Sequence, residues 1–127
     1  MNKMKAIALT RYLPVEDPEA FHDMELEKPV PAGQDILVSV RAIAVNPVDT
    51  KVRKGRGNEG KVEDPPRVLG WDASGVVEAV GDAVTLFKPG DEVFYSGDIT
   101  RPGSNSEFHL VDERIVGFKP ASLSHAQ

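Results

Sequence analysis

The chain has 127 residues, of which 40% are hydrophobic, and a formal net charge of −5 at pH 7. This length fits a single domain, and this apolar content is sufficient for a core and excludes a disordered tail. An acidic chain whose basic residues cluster only in residues 51–56 argues against nucleic-acid binding, and the absence of cysteine excludes disulfides and thiolate zinc sites.

Apolar runs separated by turn residues predict seven strands. These runs cover residues 4–12, 21–29, 35–46, 73–81, 91–97, 106–113 and 114–120. The third run is almost continuously apolar, which predicts burial on both faces. In the sixth run His109 alternates with Phe108 and Leu110, so we expect His109 to point away from a packed face. Many short strands with Gly- and Pro-rich turns predict a mainly β sandwich or barrel.

No segment of the sequence is suited to a membrane. The apolar runs fall short of the roughly 20 residues that span a bilayer, and the N-terminal run is too short for a signal peptide. We therefore expect a cytoplasmic domain that binds neither membrane nor nucleic acid.

A short helix is predicted to start at Asn46. Asn46 is a favoured N-cap, Pro47 suits the first helical position, and Asp49 stands where an acid can hydrogen-bond back to the cap. The same residue types can also form the wall of an active site. The two interpretations are compatible, because a capped helix start is a rigid mount for a side chain.

Three further features have ordinary structural explanations. Residues 55–60 match Gly-x-Gly-x-x-Gly, but they follow a predicted helix and precede two prolines, so we expect a surface loop and not a dinucleotide-binding turn. The histidines, His22, His109 and His125, lie at no metal-ligand spacing. Trp71, the single tryptophan, can belong to the core or line a pocket.

The C-terminal residues carry a helix-start signal. Ser124 followed by Gln127 is a capping-box pattern. This pattern predicts a domain over residues 1–123 and, at residues 124–127, the start of a helix that leads into a further domain.

Four stretches together resemble the N-terminal, GroES-like domain of the medium-chain dehydrogenase/reductase superfamily, especially its zinc-type alcohol dehydrogenase-like and quinone oxidoreductase-like members. They are AIAVNPVDTKVR, VLGWDASGVVEAVG, FKPGDEV and GSNSEFHLV, at residues 42–53, 68–81, 87–93 and 103–111. The resemblance implies a partly open antiparallel barrel with a few short helices. It also implies a following Rossmann domain, with NADPH in the cleft between the two domains.

The resemblance also implies that zinc is absent. Zinc members place a cysteine at position 46 and a His-Glu pair at positions 71 and 72. This chain has Asn46, a poor ligand, and Trp71, which cannot be a ligand.

By the same resemblance we expect Asn46 and Asp49 to be catalytic and to contact the cofactor. Asn46 would hydrogen-bond near the nicotinamide or the substrate carbonyl, and Asp49 would hold Asn46 and the helix start. Lys51 would meet cofactor charge, although a solvated lysine remains the alternative. Trp71 would line the substrate pocket, and the loop over residues 55–66 could cover the cleft.

The implied function is NADPH-dependent hydride transfer to a quinone or enone by the full-length protein, which we expect to be a homo-oligomer. The 127-residue chain alone is expected to be inactive. Two alternatives remain at this point: a stand-alone GroES-like interaction module such as a co-chaperonin, and a fragment of a zinc alcohol dehydrogenase.

Overall fold

A computed structural model describes residues 2–127. It contains β1 (Lys3–Arg11), β2 (His22–Glu27), β3 (Asp35–Ala44), α1 (Pro47–Lys54), β4 (Val62–Val68), β5 (Asp72–Val80), β6 (Glu92–Ser96), β7 (Phe108–Asp112), a 3-10 turn (Glu113–Ile115) and β8 (Val116–Phe118). The strands form two antiparallel sheets, in the orders β2-β1-β4 and β7-β3-β5-β6-β8. The predicted mainly β, partly open antiparallel barrel is thereby confirmed. None of the described residues belongs to a helix long and apolar enough to cross a membrane.

The core lies between the two sheets and under α1. One cluster covers the inner face of the larger sheet and includes Ile36, Val38, Val77, Val93 and Tyr95. A second cluster joins β1 to the helix through Leu9, Tyr12, Leu69 and Trp71, with Val48 and Val52 of α1 packed against it. The apolar face of α1 therefore fixes the helix on the barrel.

Strand β3 is buried over only part of its length. Its buried residues are Ile36, Leu37 and Val38, whereas Ile43 is 45% exposed. The prediction of burial on both faces is therefore wrong for the second half of the strand. That half opens onto a groove on the outer face of the sheet, and a register shift between Val40 and Ala42 marks the change.

Strand β4 contains two prolines and was not predicted. It pairs with β1 at the edge of the smaller sheet, where a strand needs partners on one side only and proline is tolerated. Residues 62–66 are therefore part of a sheet, and the expected covering loop over residues 55–66 is wrong in that part.

The helix ends at Gly55, which has a φ of 59° and closes the last turn by donating to the Val52 carbonyl. A Cβ at this position would lie 2.2 Å from the Tyr12 ring, so both the backbone conformation and the space require glycine. The Gly-x-Gly-x-x-Gly stretch then leads into β4 and opens no helix, as predicted.

Glu113 is a buried carboxylate that organises a loop. It is 1% exposed, and its Oε1 accepts from the backbone N–H groups of Leu86 at 2.8 Å and Thr85 at 3.1 Å. Removing the carboxylate would leave these donors without their partner inside the protein.

We expect Glu113→Ala to lower the free energy of unfolding by about 2–3 kcal/mol, because it removes hydrogen bonds to a charged acceptor. Urea unfolding measures the change, with Glu16→Ala at an exposed position as the control. Equal stability of the two variants would contradict this role.

Candidate functional site

The start of α1 is held by Asp49. The Asn46 backbone N–H donates to Asp49 Oδ2 at 2.8 Å, and the Asp49 N–H donates to the Asn46 carbonyl at 2.9 Å. Asn46 has extended backbone angles, and Pro47 occupies the first helical turn, so the predicted cap is confirmed. Asp49 is 9% exposed, and its Oδ1 has no hydrogen-bond partner among the described residues.

The Asn46 side chain is held by a second carboxylate. Its Nδ2 donates to Asp72 Oδ2 at 2.5 Å and makes a longer contact of 3.4 Å with the Ala44 carbonyl. Asp72 was not among the predicted site residues. It meets Asn46 because the register of β3 and β5 places Ala44 opposite Asp72.

An open groove of about 520 Å³ lies beside Asp72 on the larger sheet. Its wall includes three half-exposed apolar side chains, Ile43, Phe94 and Ile115. Its polar lining consists of Asp72, Ser74, Ser96, His125 and Gln127. An apolar surface with a few converging polar groups is typical of a small-molecule site.

None of the four predicted site residues lines the groove, and Asn46 is connected to it through Asp72. Trp71 is 2% exposed and packs in the cluster with Leu9 and Tyr12, with its Nε1 3.4 Å from the Arg101 carbonyl. Lys51 is exposed on α1. The structure thus brings Asn46, Asp49 and Asp72 together, and the roles of Trp71 in a substrate pocket and of Lys51 toward a cofactor stay predictions.

The donor set at this position does not fit zinc. Within residues 2–127 there is no group of three or more His, Cys, Asp or Glu side chains that could hold a metal ion. Asn46 and Asp72 supply one amide and one carboxylate, and the indole of Trp71 is not a ligand.

A polar cluster that the sequence did not suggest lies on the groove wall. His125 Nδ1 is 3.0 Å from Ser74 Oγ, and His125 Nε2 is 3.2 Å from Glu92 Oε1. The Ser74 hydroxyl donates to the His125 backbone carbonyl at 2.9 Å. Side chains alternate between the two faces of a strand, so Ser74 lies on the same face of β5 as Asp72. This spacing could have identified Ser74 as a site residue from the sequence.

His109 faces the interior and not away from it, so that prediction is wrong. Tyr95 Oη lies 2.7 Å from His109 Nδ1, and His109 Nε2 lies 3.0 Å from the Pro102 carbonyl. A carbonyl only accepts, so Nε2 carries the proton and Nδ1 accepts from Tyr95. Both ring nitrogens are satisfied, which permits burial. Burial lowers the pKa of His109 to about 4 and raises that of Tyr95.

Residues 32–121 match the family model of the alcohol dehydrogenase GroES-like domain. A zinc-type alcohol dehydrogenase-like protein of Staphylococcus aureus strain Mu50 is 49% identical over 121 residues, which are 95% of this chain and 35% of that protein. The chain therefore spans about a third of the length of this relative.

Solved structures show the same similarity. A protein of Rhizobium etli CFN 42, named as a zinc-dependent alcohol dehydrogenase, superposes with a TM-score of 0.91 and 54% identity, over 98% of this chain and 35% of that one. Escherichia coli quinone oxidoreductase, crystallised with NADPH, superposes with a TM-score of 0.76 and 27% identity, over 95% of this chain and 35% of that one.

The buried His109 predicts a pH-dependent stability. Between pH 6.5 and 4 the unfolded chain binds a proton at this histidine that the folded protein does not bind, so stability falls as the pH falls through this window. The decrease in the free energy of unfolding that is due to His109 should reach about 3 kcal/mol near pH 4 and should change little below that pH. Urea unfolding at several pH values measures it.

His109→Gln should remove this contribution, because Gln keeps a donor and an acceptor but does not take up the proton. His22→Gln, at a side chain with 34% exposure, is the matched control. The idea fails if His109→Gln keeps the wild-type slope of unfolding free energy against pH.

We also expect the complete protein to bind no stoichiometric zinc. The check is elemental analysis after purification without chelators, repeated after incubation with a zinc salt and desalting. The physical reason is the missing ligand set at positions 46, 71 and 72. One zinc per chain that survives desalting would overturn this expectation.

Proposed function

Because the chain belongs to the family of alcohol dehydrogenase GroES-like domains, we propose that it is the N-terminal catalytic and substrate domain of an NADPH-dependent oxidoreductase. The acceptor is a quinone or an enone. The observation that carries the proposal is Asn46, fixed by Asp49 and by Asp72, and Asp72 lines an apolar groove. The similarity to a quinone oxidoreductase crystallised with NADPH supports this cofactor and acceptor class.

The proposed domain arrangement places residues 1–123 in the barrel and residues 124–127 at the start of a helix that leads into a nucleotide-binding domain. Two observations support it. The relatives are nearly three times as long as the part of them that this chain matches. In addition, the Ser124 N–H donates to Gln127 Oε1 at 2.9 Å, which is one of the two bonds of a capping box.

NADPH, when bound in the cleft beside α1, supplies the hydride. The residues of this chain proposed to face it are Asn46, Asp49 and Lys51. Asp49 acts on the site through Asn46, whose backbone N–H donates to Asp49 Oδ2 at 2.8 Å.

The part assigned to Asn46 is stabilisation of the acceptor carbonyl. As a conjugated carbonyl is reduced, negative charge develops on its oxygen and favours a preorganised donor. The Nδ2 group has two hydrogens: Asp72 takes one at 2.5 Å, and the other has only the 3.4 Å contact with the Ala44 carbonyl. The second N–H therefore has no strong acceptor within the protein and is available to a substrate oxygen that lies in the amide plane, while Asp72 keeps the amide in place.

The groove supplies the rest of the environment. Phe94 lies on the same face as Ser74 and offers apolar surface to a planar acceptor, and covering it excludes water, which strengthens the Asn46 hydrogen bond. Trp71 supports this wall from the core, since it precedes Asp72 and anchors the start of β5.

The test is replacement of Asn46 in the complete enzyme, assayed with NADPH and a quinone. Asn46→Ala should lower kcat about a hundredfold or more, as expected for loss of an oxyanion donor. Asn46→Ser keeps an N-capping side chain but lacks the amide, so it should lose kcat with little loss of stability.

Lys54→Ala, at an exposed position in the last turn of α1, is the control and should leave kcat unchanged. The 127-residue chain alone should oxidise no NADPH. If Asn46→Ala and Asn46→Ser keep the wild-type kcat and KM, Asn46 is a helix cap and nothing more.

A further inference from the structure

Ser74, His125 and Glu92 form a hydrogen-bonded row from the groove toward solvent. Ser74 lies on β5 and is 7% exposed, and Glu92 lies at the start of β6 with a side chain that is 54% exposed. His125, in the segment after β8, connects them with a side chain that is 19% exposed. The row therefore joins an enclosed hydroxyl to a carboxylate that water can reach.

The three hydrogen bonds of this row restrict which of its atoms carry hydrogen. Glu92 as a carboxylate only accepts, so His125 Nε2 donates to it. The single hydrogen of the Ser74 hydroxyl goes to the His125 backbone carbonyl, so Nδ1 must donate to Ser74 Oγ. All three contacts are satisfied together when both ring nitrogens of His125 carry hydrogen. The row therefore gives His125 a hydroxyl on one ring nitrogen and a carboxylate on the other, which is an arrangement that can pass a proton.

The row lies close to the carbonyl-binding position proposed for Asn46. Asp72 and Ser74 are two residues apart on one face of β5, which corresponds to about 7 Å along the strand. Asp72 holds Asn46, and both Asp72 and Ser74 line the groove. The Ser74 hydroxyl and the Asp72 carboxylate that holds Asn46 therefore belong to the same groove.

We propose that Ser74 and His125 deliver the proton that completes reduction of the acceptor, with Glu92 as the positioning residue for His125. This rests on the proposed reductase function. The acceptor takes a hydride, with its two electrons, from NADPH, which becomes NADP⁺, and the resulting anion takes one proton.

The proton step balances as follows. The Ser74 hydroxyl rotates from the His125 carbonyl to the anionic oxygen of the reduced acceptor, and its O–H bond breaks as the new O–H bond forms. Ser74 Oγ takes the hydrogen of His125 Nδ1 in the same movement. His125 is left neutral with Nε2–H donating to Glu92, and a proton from solvent restores the imidazolium.

Two further charged groups face this row. Lys119 Nζ lies 3.9 Å from Glu92 Oε2 and also donates to the Leu123 carbonyl. Asp72 lies on the same face of β5 as Ser74. Together with Glu92, these are the charged neighbours of the row on the elements packed against it.

A purely structural role would have different consequences. The bond from Ser74 to the His125 carbonyl ties residues 120–127 to the sheet, so the row could serve only as an anchor. An anchor would affect stability and cofactor affinity but not the pH dependence of turnover.

The experiment uses the complete enzyme with NADPH and a para-quinone. Ser74→Ala and His125→Gln should lower kcat about a hundredfold or more, in the range of general acid catalysis, and Glu92→Gln should lower it less. The NADPH dissociation constant should stay within about twofold and the melting temperature should be nearly unchanged, since the proton step follows binding.

If His125 is the proton donor, wild-type kcat should fall at high pH and His125→Gln should lose this limb of the pH profile. Free imidazole should restore part of the activity of His125→Ala, because it can replace the proton donor. The control is His22→Gln, which should behave as wild type.

The outcomes separate the two proposals. If wild type reduces the quinone and the variants keep their kcat, the relay is wrong and the proposed function stands. A second outcome is that the variants lose kcat together with melting temperature and NADPH affinity. If their pH profile is also unchanged and imidazole restores no activity, His125 is an anchor and the relay is again wrong. If the complete wild-type enzyme oxidises no NADPH with quinones or enones, both proposals are wrong.

Discussion

The antiparallel pairing of β3 with β5 is the constraint on which the groove depends. This register places Ala44 opposite Asp72 and Ala42 opposite Ser74, so the chain leaving β3 meets Asp72 as α1 begins. A slip of one residue would turn every side chain of β5 to the opposite face. Gly75 permits the close approach of the two strands, since a Cβ there would lie 2.2 Å from the Ser39 carbonyl oxygen. The lack of a side chain at Gly75 thus permits the strand pairing on which the geometry of the site depends.

This pairing lets two carboxylates hold one asparagine. Asp49 accepts from the Asn46 main chain, and Asp72 accepts from its side chain, so both the backbone and the amide are fixed before any ligand arrives. In the zinc members that the chain resembles, a metal ties together the same positions of the fold. Here hydrogen bonds to Asp49 and Asp72 hold this position of the fold. An amide held in this way retains one N–H for a ligand, which is the form of preorganisation that a developing oxyanion requires.

Features determined by neighbouring residues were predicted correctly from the sequence. Features determined by contacts between residues far apart in the sequence were not. The cap at Asn46 was predicted because its determinants lie within four consecutive residues. Strand β4 was missed because prolines argue against a strand until its position at a sheet edge is known. His109 was placed on the wrong face because alternation shows that two faces differ but not which one is covered. His125 could not be joined to Ser74 and Glu92, which lie 51 and 33 residues away.

The larger sheet keeps two kinds of polar group on opposite faces. On β6, Tyr95 points inward to His109, whereas Phe94 and Ser96 point outward to the groove. The inner pair is fully satisfied within the barrel, and the loop carbonyl of Pro102 completes it, so its protonation changes stability. On the outer face the acceptors and donors open onto the groove, where a ligand can reach them. Protonation of His109 therefore changes the stability of the barrel, while the proposed chemistry depends on His125.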